Sequence, residues 1–180
     1  YLLVPGGPKP SPDPRFVKAQ ELKLKVRELV DQMLDTESSA ALNNVVAVPA
    51  SFVSLDDFNQ TSGFGRYLAE AMFYEFNQRG VSVREYRFPG VIETRPEEGE
   101  FALSRALSKI RVRQDWAAVV LGTYYRDRDA LFINARMVRA SDGMVLRTAQ
   151  LVLPMNDMLK RMSAQPPLRA GGLRINPGRK

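Results

Sequence analysis

From Phe16 onward, apolar residues recur at steps of three and four: Phe16, Ala19, Leu22, Val26, Leu29, Val30, Met33 and Leu34. That spacing lines one side of a helix and predicts one over 15–35. Lys18, Lys23, Lys25, Arg27, Glu28 and Asp31 take its other side. A stripe of only about 20 residues is expected to pack on the chain's own sheet rather than in a coiled coil. Asn43 to Val53 is almost continuously apolar, as in a strand buried on both faces. Pro49 has no N–H for a ladder and predicts a bulge or strand end there. After a polar loop, Phe64, Leu68, Met72 and Phe76 mark the buried stripe of a second helix from about Ser62 to Arg79. Ser62 or Thr61 is its expected cap, and Gly80 its left-handed stop.

Val81 to Phe88 reads as a further strand. "FALSRALSKIRVRQ" (101–114) reads as a third helix, entered past Glu97, Glu98 and Glu100 and closed by Lys109, Arg111 and Arg113, the charge order its dipole favours. "WAAVVLGTYY" reads as a central strand. Two more strands follow, joined at Asp142-Gly143, a signal for a tight hairpin. The fold class expected is α/β (α+β): a single mixed sheet of about five strands, with an antiparallel C-terminal meander, packed with about three helices.

The first hairpin strand raises the functional question. Leu131, Ile133, Ala135 and Met137 share one face and are expected in the core. Phe132, Asn134, Arg136 and Val138 share the other. On the return strand Arg147 and Leu151 are grouped with that second face, which then mixes arginines and an amide with apolar groups. Such a mixture suits a protein–protein surface, and it equally suits a face covered by a helix of the same domain. Both readings stand at this point. The candidate interaction surface is Phe132, Asn134, Arg136, Val138, Arg147 and Leu151.

Composition narrows the chemistry. The chain has 180 residues, 44% of them hydrophobic, enough for one domain with a real core. It has no cysteine and no histidine, which removes thiolate chemistry, His- or Cys-based zinc sites and Ser-His pairs. No apolar run approaches the roughly 18 residues of a membrane span. The chain starts at Tyr1 rather than Met, as expected of a processed product. Residues 1–14 hold five prolines and two glycines and read as a linker. The domain is expected over 15–154, followed by a basic tail over 155–180. The net charge is +6. From Pro154 on, Lys160, Arg161, Arg169, Arg174, Arg179 and Lys180 stand against Asp157 alone, so most of the excess sits in the tail. A basic tail of this kind suits nucleic acid or anionic headgroups; the expectation is that it is solvated or packs on a partner.

Candidate sites elsewhere are thin. "GFGR" (63–66) lacks the rest of a dinucleotide fingerprint and reads as a helix start. Asp56, Asp57 and Asn59 offer too few oxygens for calcium and read as turn chemistry. Ser104 and Lys109, five apart, and Ser108 and Lys109, adjacent, do not meet on a helix. Tyr124, Tyr125 and Phe132 with Arg126, Arg128 and Arg136 suggest a platform for single-stranded nucleic acid, but Asp127 and Asp129 would repel phosphate. No catalytic, cofactor or metal residues are assigned, and no enzyme activity, cofactor or nucleic-acid partner is expected.

The order of these pieces resembles a known family. "SFVSLD" (51–56), "TSGFGR" (61–66), the Ser104-Arg105 helix, "LGTY" (121–124) and "NARMV" (134–138) are similar, in this order and spacing, to landmarks of the FlgO family of flagellar outer-membrane lipoproteins. The resemblance spans about 43–154. It implies an exported, lipid-anchored, non-enzymatic structural protein that assembles around the flagellar basal body and supports motility, on the periplasmic side of the outer membrane. It also implies partners among the other outer-membrane or basal-body ring proteins, and a homo-oligomeric ring. The lipidated cysteine of the family is not in this sequence. The fold implied is similar to the TolB N-terminal and curli-secretion lipoprotein type, so the alternative is a periplasmic envelope adaptor that binds an enzyme or secretion machine. A basic nucleic-acid-binding domain is a second alternative.

Overall fold

The computed structural model describes residues 12–34, 42, 44–85 and 117–165. The predicted helix at 101–114, residues 86–88 of the predicted strand, and the tail beyond 165 lie outside the described residues. Within them the order is α1 (Pro14–Leu34), β1 (Val46–Pro49), β2 (Val53–Ser54), α2 (Gly63–Gln78), β3 (Ala117–Arg126), β4 (Ala130–Arg139), β5 (Val145–Pro154) and α3 (Asp157–Met162). The five strands form one mixed sheet in the order β1-β3-β4-β5, with β2 also pairing with β3. β1 and β2 run parallel to β3, while β3, β4 and β5 are the expected antiparallel meander.

Pro49 acts as expected: β1 ends on it, and the edge resumes on β3 at Val53. In the gap the Phe52 N–H donates to the Gly65 carbonyl of α2 at 3.1 Å. The Thr61 hydroxyl donates to the Phe52 carbonyl at 2.5 Å. The Phe52 backbone is thus satisfied by the start of α2 rather than by the sheet, as buried polar groups require. Its ring is buried against Gly122: a Cβ on Gly122 would fall 2.1 Å from the ring. Beyond Gly80, residues 81–85 touch the sheet through a bridge from Val83 to Ala47.

The α2 ends are as the sequence implies. Ser62 caps it, its hydroxyl accepting from the Gly65 N–H. At the other end Val81 N–H donates to Phe76 and Gly80 N–H to Asn77, with Gly80 at φ 73°. That is the Schellman pattern, which needs the left-handed residue glycine supplies. Phe64, Leu68, Met72 and Phe76 are all buried.

α1 differs from expectation in two ways. It takes Pro14 out of the expected linker, with the Asp13 carboxylate accepting from the Arg15 N–H, because proline is pre-set for the first helical position. Its stripe is buried only from Leu22 on; Phe16 and Ala19 are exposed, so the first two turns stand clear of the sheet.

Arg79 clips α1 to α2. It donates to Asp31 at 2.6 Å and to the buried Glu75 at 2.7 Å. Asp31 is half exposed, so that half of the clip is worth little. Glu75 loses its partner if Arg79 goes. Arg79→Met is therefore expected to cost about 1–3 kcal/mol, read as a lower urea midpoint with an unchanged slope. A loss near zero would show that Glu75 finds water instead.

Candidate functional site

Strand register decides which side chains share a face. On the core side, Tyr124, Ile133 and Leu151 line up across β3, β4 and β5, as do Gly122, Ala135 and Ala149, and Val120, Met137 and Arg147. Leu131, Ile133, Ala135 and Met137 are buried, as expected. α1, α2 and α3 supply the rest of this core.

The outer face is a ladder of three rows. Leu121, Arg136 and Thr148 form the first; Val53, Thr123, Asn134 and Gln150 the second; Tyr125, Phe132 and Val152 the third. Leu55 extends the third row, its N–H donating to the Tyr124 carbonyl. The third row is apolar yet open: Leu55 is 46% exposed, Tyr125 and Phe132 each 38%, and Val152 59%. Tyr125 and Phe132 meet ring to ring at 6.2 Å. At the other end of the face Val138 is buried, beside Val119.

Arg147 and Leu151 require a correction. They do not join Phe132, Asn134 and Arg136; they point to the core side, and Leu151 is buried there. A two-residue turn at Asp142-Gly143 would pair Asn134 with Leu151. The actual connection runs over 140–144, with Gly143 at φ 79° and its N–H on the Arg139 carbonyl. A register shift also falls between Met137 and Val138. The net slip is one residue, and one residue turns every side chain of a strand over. Thr148, Gln150 and Val152 take the outer positions instead. The Met144 N–H, and then Arg139, hold the Asp142 carboxyl below its ordinary range.

Between the first two rows lies an open cavity of about 330 Å³, lined by Val53, Phe58, Leu121, Gly122, Thr123, Asn134 and Arg136. Asn134 and Arg136 therefore stand on the wall of a recess. Sequence periodicity could place them on one face but could not find the recess. Its far wall comes from Phe58, in the loop after β2, and β3 contributes the backbone of Gly122 between Leu121 and Thr123. The short motifs behind the family resemblance converge here and on the opposite side of the sheet. Val53, Gly122, Thr123, Asn134 and Arg136 line the cavity, while Phe52, Thr61, Gly65 and again Gly122 form the wedge behind it.

The other candidate sites do not assemble. The Gly65 N–H is taken by Ser62 and Arg66 is exposed, so "GFGR" is a capped helix start. Asp57 accepts from the Asn59 N–H and from Gln60, as turn chemistry does. Tyr124 is buried edge-on against Phe64, on the opposite face from Tyr125 and Phe132, so the aromatic platform is not one surface. Burial pushes the Tyr124 phenol above its ordinary pKa. Ser104, Ser108 and Lys109 lie outside the described residues. Among the described residues no group of carboxylates is placed to hold a metal ion, and no helix is long and apolar enough to cross a membrane.

The family model described as FlgO protein matches residues 27–158. No curated protein matches the sequence significantly. Three solved structures are similar. The C-terminal domain of LpoB from Salmonella enterica is 12% identical, with 72% of this chain and 96% of that one covered and a TM-score of 0.42. A PelC variant from Paraburkholderia phytofirmans, solved as a dodecamer, is 16% identical, with coverages of 62% and 72% and a TM-score of 0.37. Lipoprotein GNA1162 from Neisseria meningitidis is 17% identical, with coverages of 63% and 85% and a TM-score of 0.39.

Proposed function

Because this chain belongs to the FlgO family, we propose that it is a non-enzymatic structural protein of the bacterial flagellum: an envelope lipoprotein on the periplasmic side of the outer membrane, assembling around the basal body and required for motility. The observation that carries this reading is the family match, which runs from within α1 through β5 into α3. The site supports it. A sheet face with an open apolar row and one arginine beside a recess is a docking surface in composition, with aromatic and arginine anchors where interfaces concentrate them. Its partners on this reading are copies of itself in a ring, together with other outer-membrane or basal-body ring proteins. Heterologous contacts of that kind close into rings when the rotation between copies permits.

The experiment is co-purification with detergent-extracted basal bodies, detected by antibody, alongside motility of a deletion strain. Presence at the outer-membrane end and loss of swimming are expected. A protein that stays in the envelope fraction but never with basal bodies would overturn the flagellar reading. Arg136 is exposed and outside the core, so Arg136→Glu is expected to abolish assembly while the purified chain keeps its wild-type melting temperature. A mutant that still assembles would remove Arg136 from the interface.

A further inference from the structure

We propose that the cavity beside Arg136 is a carboxylate pocket, receiving an aspartate or glutamate side chain from an extended segment of a partner protein. The inference rests on the docking reading above and deepens it.

Arg136 first. Other arginines of this chain hold carboxylates of their own: Arg15 holds Asp13, Arg79 holds Asp31 and Glu75, and Arg139, three residues further along β4, holds Asp142. Among the described residues no carboxylate pairs with Arg136, and no side-chain hydrogen bond engages Asn134 or Thr123. These three groups offer a guanidinium fork, an amide and a hydroxyl to one recess. The other described walls are apolar, from Val53, Phe58 and Leu121, and among the described residues no acid lines the cavity. Apolar walls lower the local dielectric and strengthen whatever ion pair forms between them. A guanidinium presents its N–H groups in the fork that a carboxylate fills two at a time.

The charge count selects the ligand. One arginine matches one carboxylate. A polyphosphate backbone would carry further anions past Asp56 and Asp57, which immediately precede Phe58 on the loop forming the far wall. The setting selects a side chain rather than a chain end. The apolar row of Leu55, Tyr125, Phe132 and Val152 begins two residues along the strands from Thr123 and Asn134, as the next row of the same face. A segment seated in the cavity continues onto that row, with its own apolar residues against Tyr125 and Phe132.

The test uses the purified full chain, labelled with 15N, and three short peptides. The first has blocked ends and a central Leu-Glu-Leu, the second has Gln in place of Glu, and the third has no acidic side chain but a free C-terminus. The Glu peptide is expected to shift the Thr123 amide and the Asn134 side-chain amide saturably. It should bind about tenfold or more tighter than the Gln peptide, the margin a charge-assisted pair gives. Arg136→Ala should remove that margin, Arg136→Lys should restore only part of it, and Arg128→Ala, at the β3–β4 hairpin, should leave it intact. Equal binding of the Glu and Gln peptides overturns the proposal. So does a margin that survives Arg136→Ala, saturation by the free C-terminus alone, or no saturable shift at all. None of these outcomes depends on basal bodies, so failure here is separate from failure of the flagellar reading.

Discussion

Phe52→Ala is expected to destabilise the folded chain by about 3–5 kcal/mol, a fall of roughly 6–20 °C in the thermal midpoint. The ring is fully buried, and the sheet beneath it has no bulk to fill its place. Its floor is Gly122, which has no side chain, and the neighbouring positions in that row are Ala135 and Ala149. A void bordered by small residues on a hydrogen-bonded sheet stays open, which places the cost in the upper part of the range for such truncations. The same geometry predicts coupling. Gly122→Val alone drives its methyls into the Phe52 ring and should cost about 1–3 kcal/mol. In the Phe52→Ala background the added methyls have space, and the second change should cost much less or partly restore stability. Denaturation of the four chains measures this directly. If the two losses simply add, the ring does not rest on Gly122 as described.

Gly65→Ala reverses the usual sign of its substitution. In the interior of a helix, alanine normally exceeds glycine by about 1 kcal/mol. Here the added Cβ would lie 2.0 Å from the Phe52 carbonyl oxygen and 2.3 Å from the Thr61 hydroxyl. The obstructing oxygen is backbone and cannot swing away. Either α2 retreats or the Phe52 segment does, and both routes break the Phe52–Gly65 and Thr61–Phe52 hydrogen bonds. The expected net loss is about 3 kcal/mol, at the top of the range for overpacking. It should appear as a lower denaturation midpoint together with faster exchange of the Phe52 amide. A stabilised Gly65→Ala protein would show that the helix start has slack. Gly80 and Gly143 are a useful contrast: both have open space where a Cβ would go, and both are held at positive φ instead. Alanine there costs only backbone strain, about 1–2 kcal/mol.

These two glycines show where sequence reading stops. Periodicity reveals α2, its cap and its stop, because each rests on residues within one or two turns. It reveals the core face of β4 for the same reason. It misplaces Arg147 and Leu151, because their face depends on how many residues the β4–β5 connection spends, and Asp142-Gly143 imitates a tighter turn than the one formed. It misses the cavity and the wedge altogether. Val53, Phe58, Gly122 and Arg136 are separated by up to 83 positions in the chain, and the space they enclose has no local signature. The family motifs mark these places, since they contain Phe52, Gly65, Gly122, Asn134 and Arg136, but a motif does not say that one of its glycines admits the Phe52 carbonyl and another admits the Phe52 ring.

The two margins of the sheet carry a further consequence. On one side Ala47 exchanges hydrogen bonds with Ser82 and Arg84, and Val53 bridges to Thr61. On the other, the Gln32 side chain of α1 accepts the N–H of Gln150 in the middle of β5, and that strand finishes on Pro154, which has no N–H to offer. Strands of neighbouring molecules thus find these rungs already taken. Copies held side by side at high local concentration can press together through their side chains without zippering into a continuous fibril. A crowded assembly of this chain would come apart into separate folded molecules rather than leave an insoluble residue.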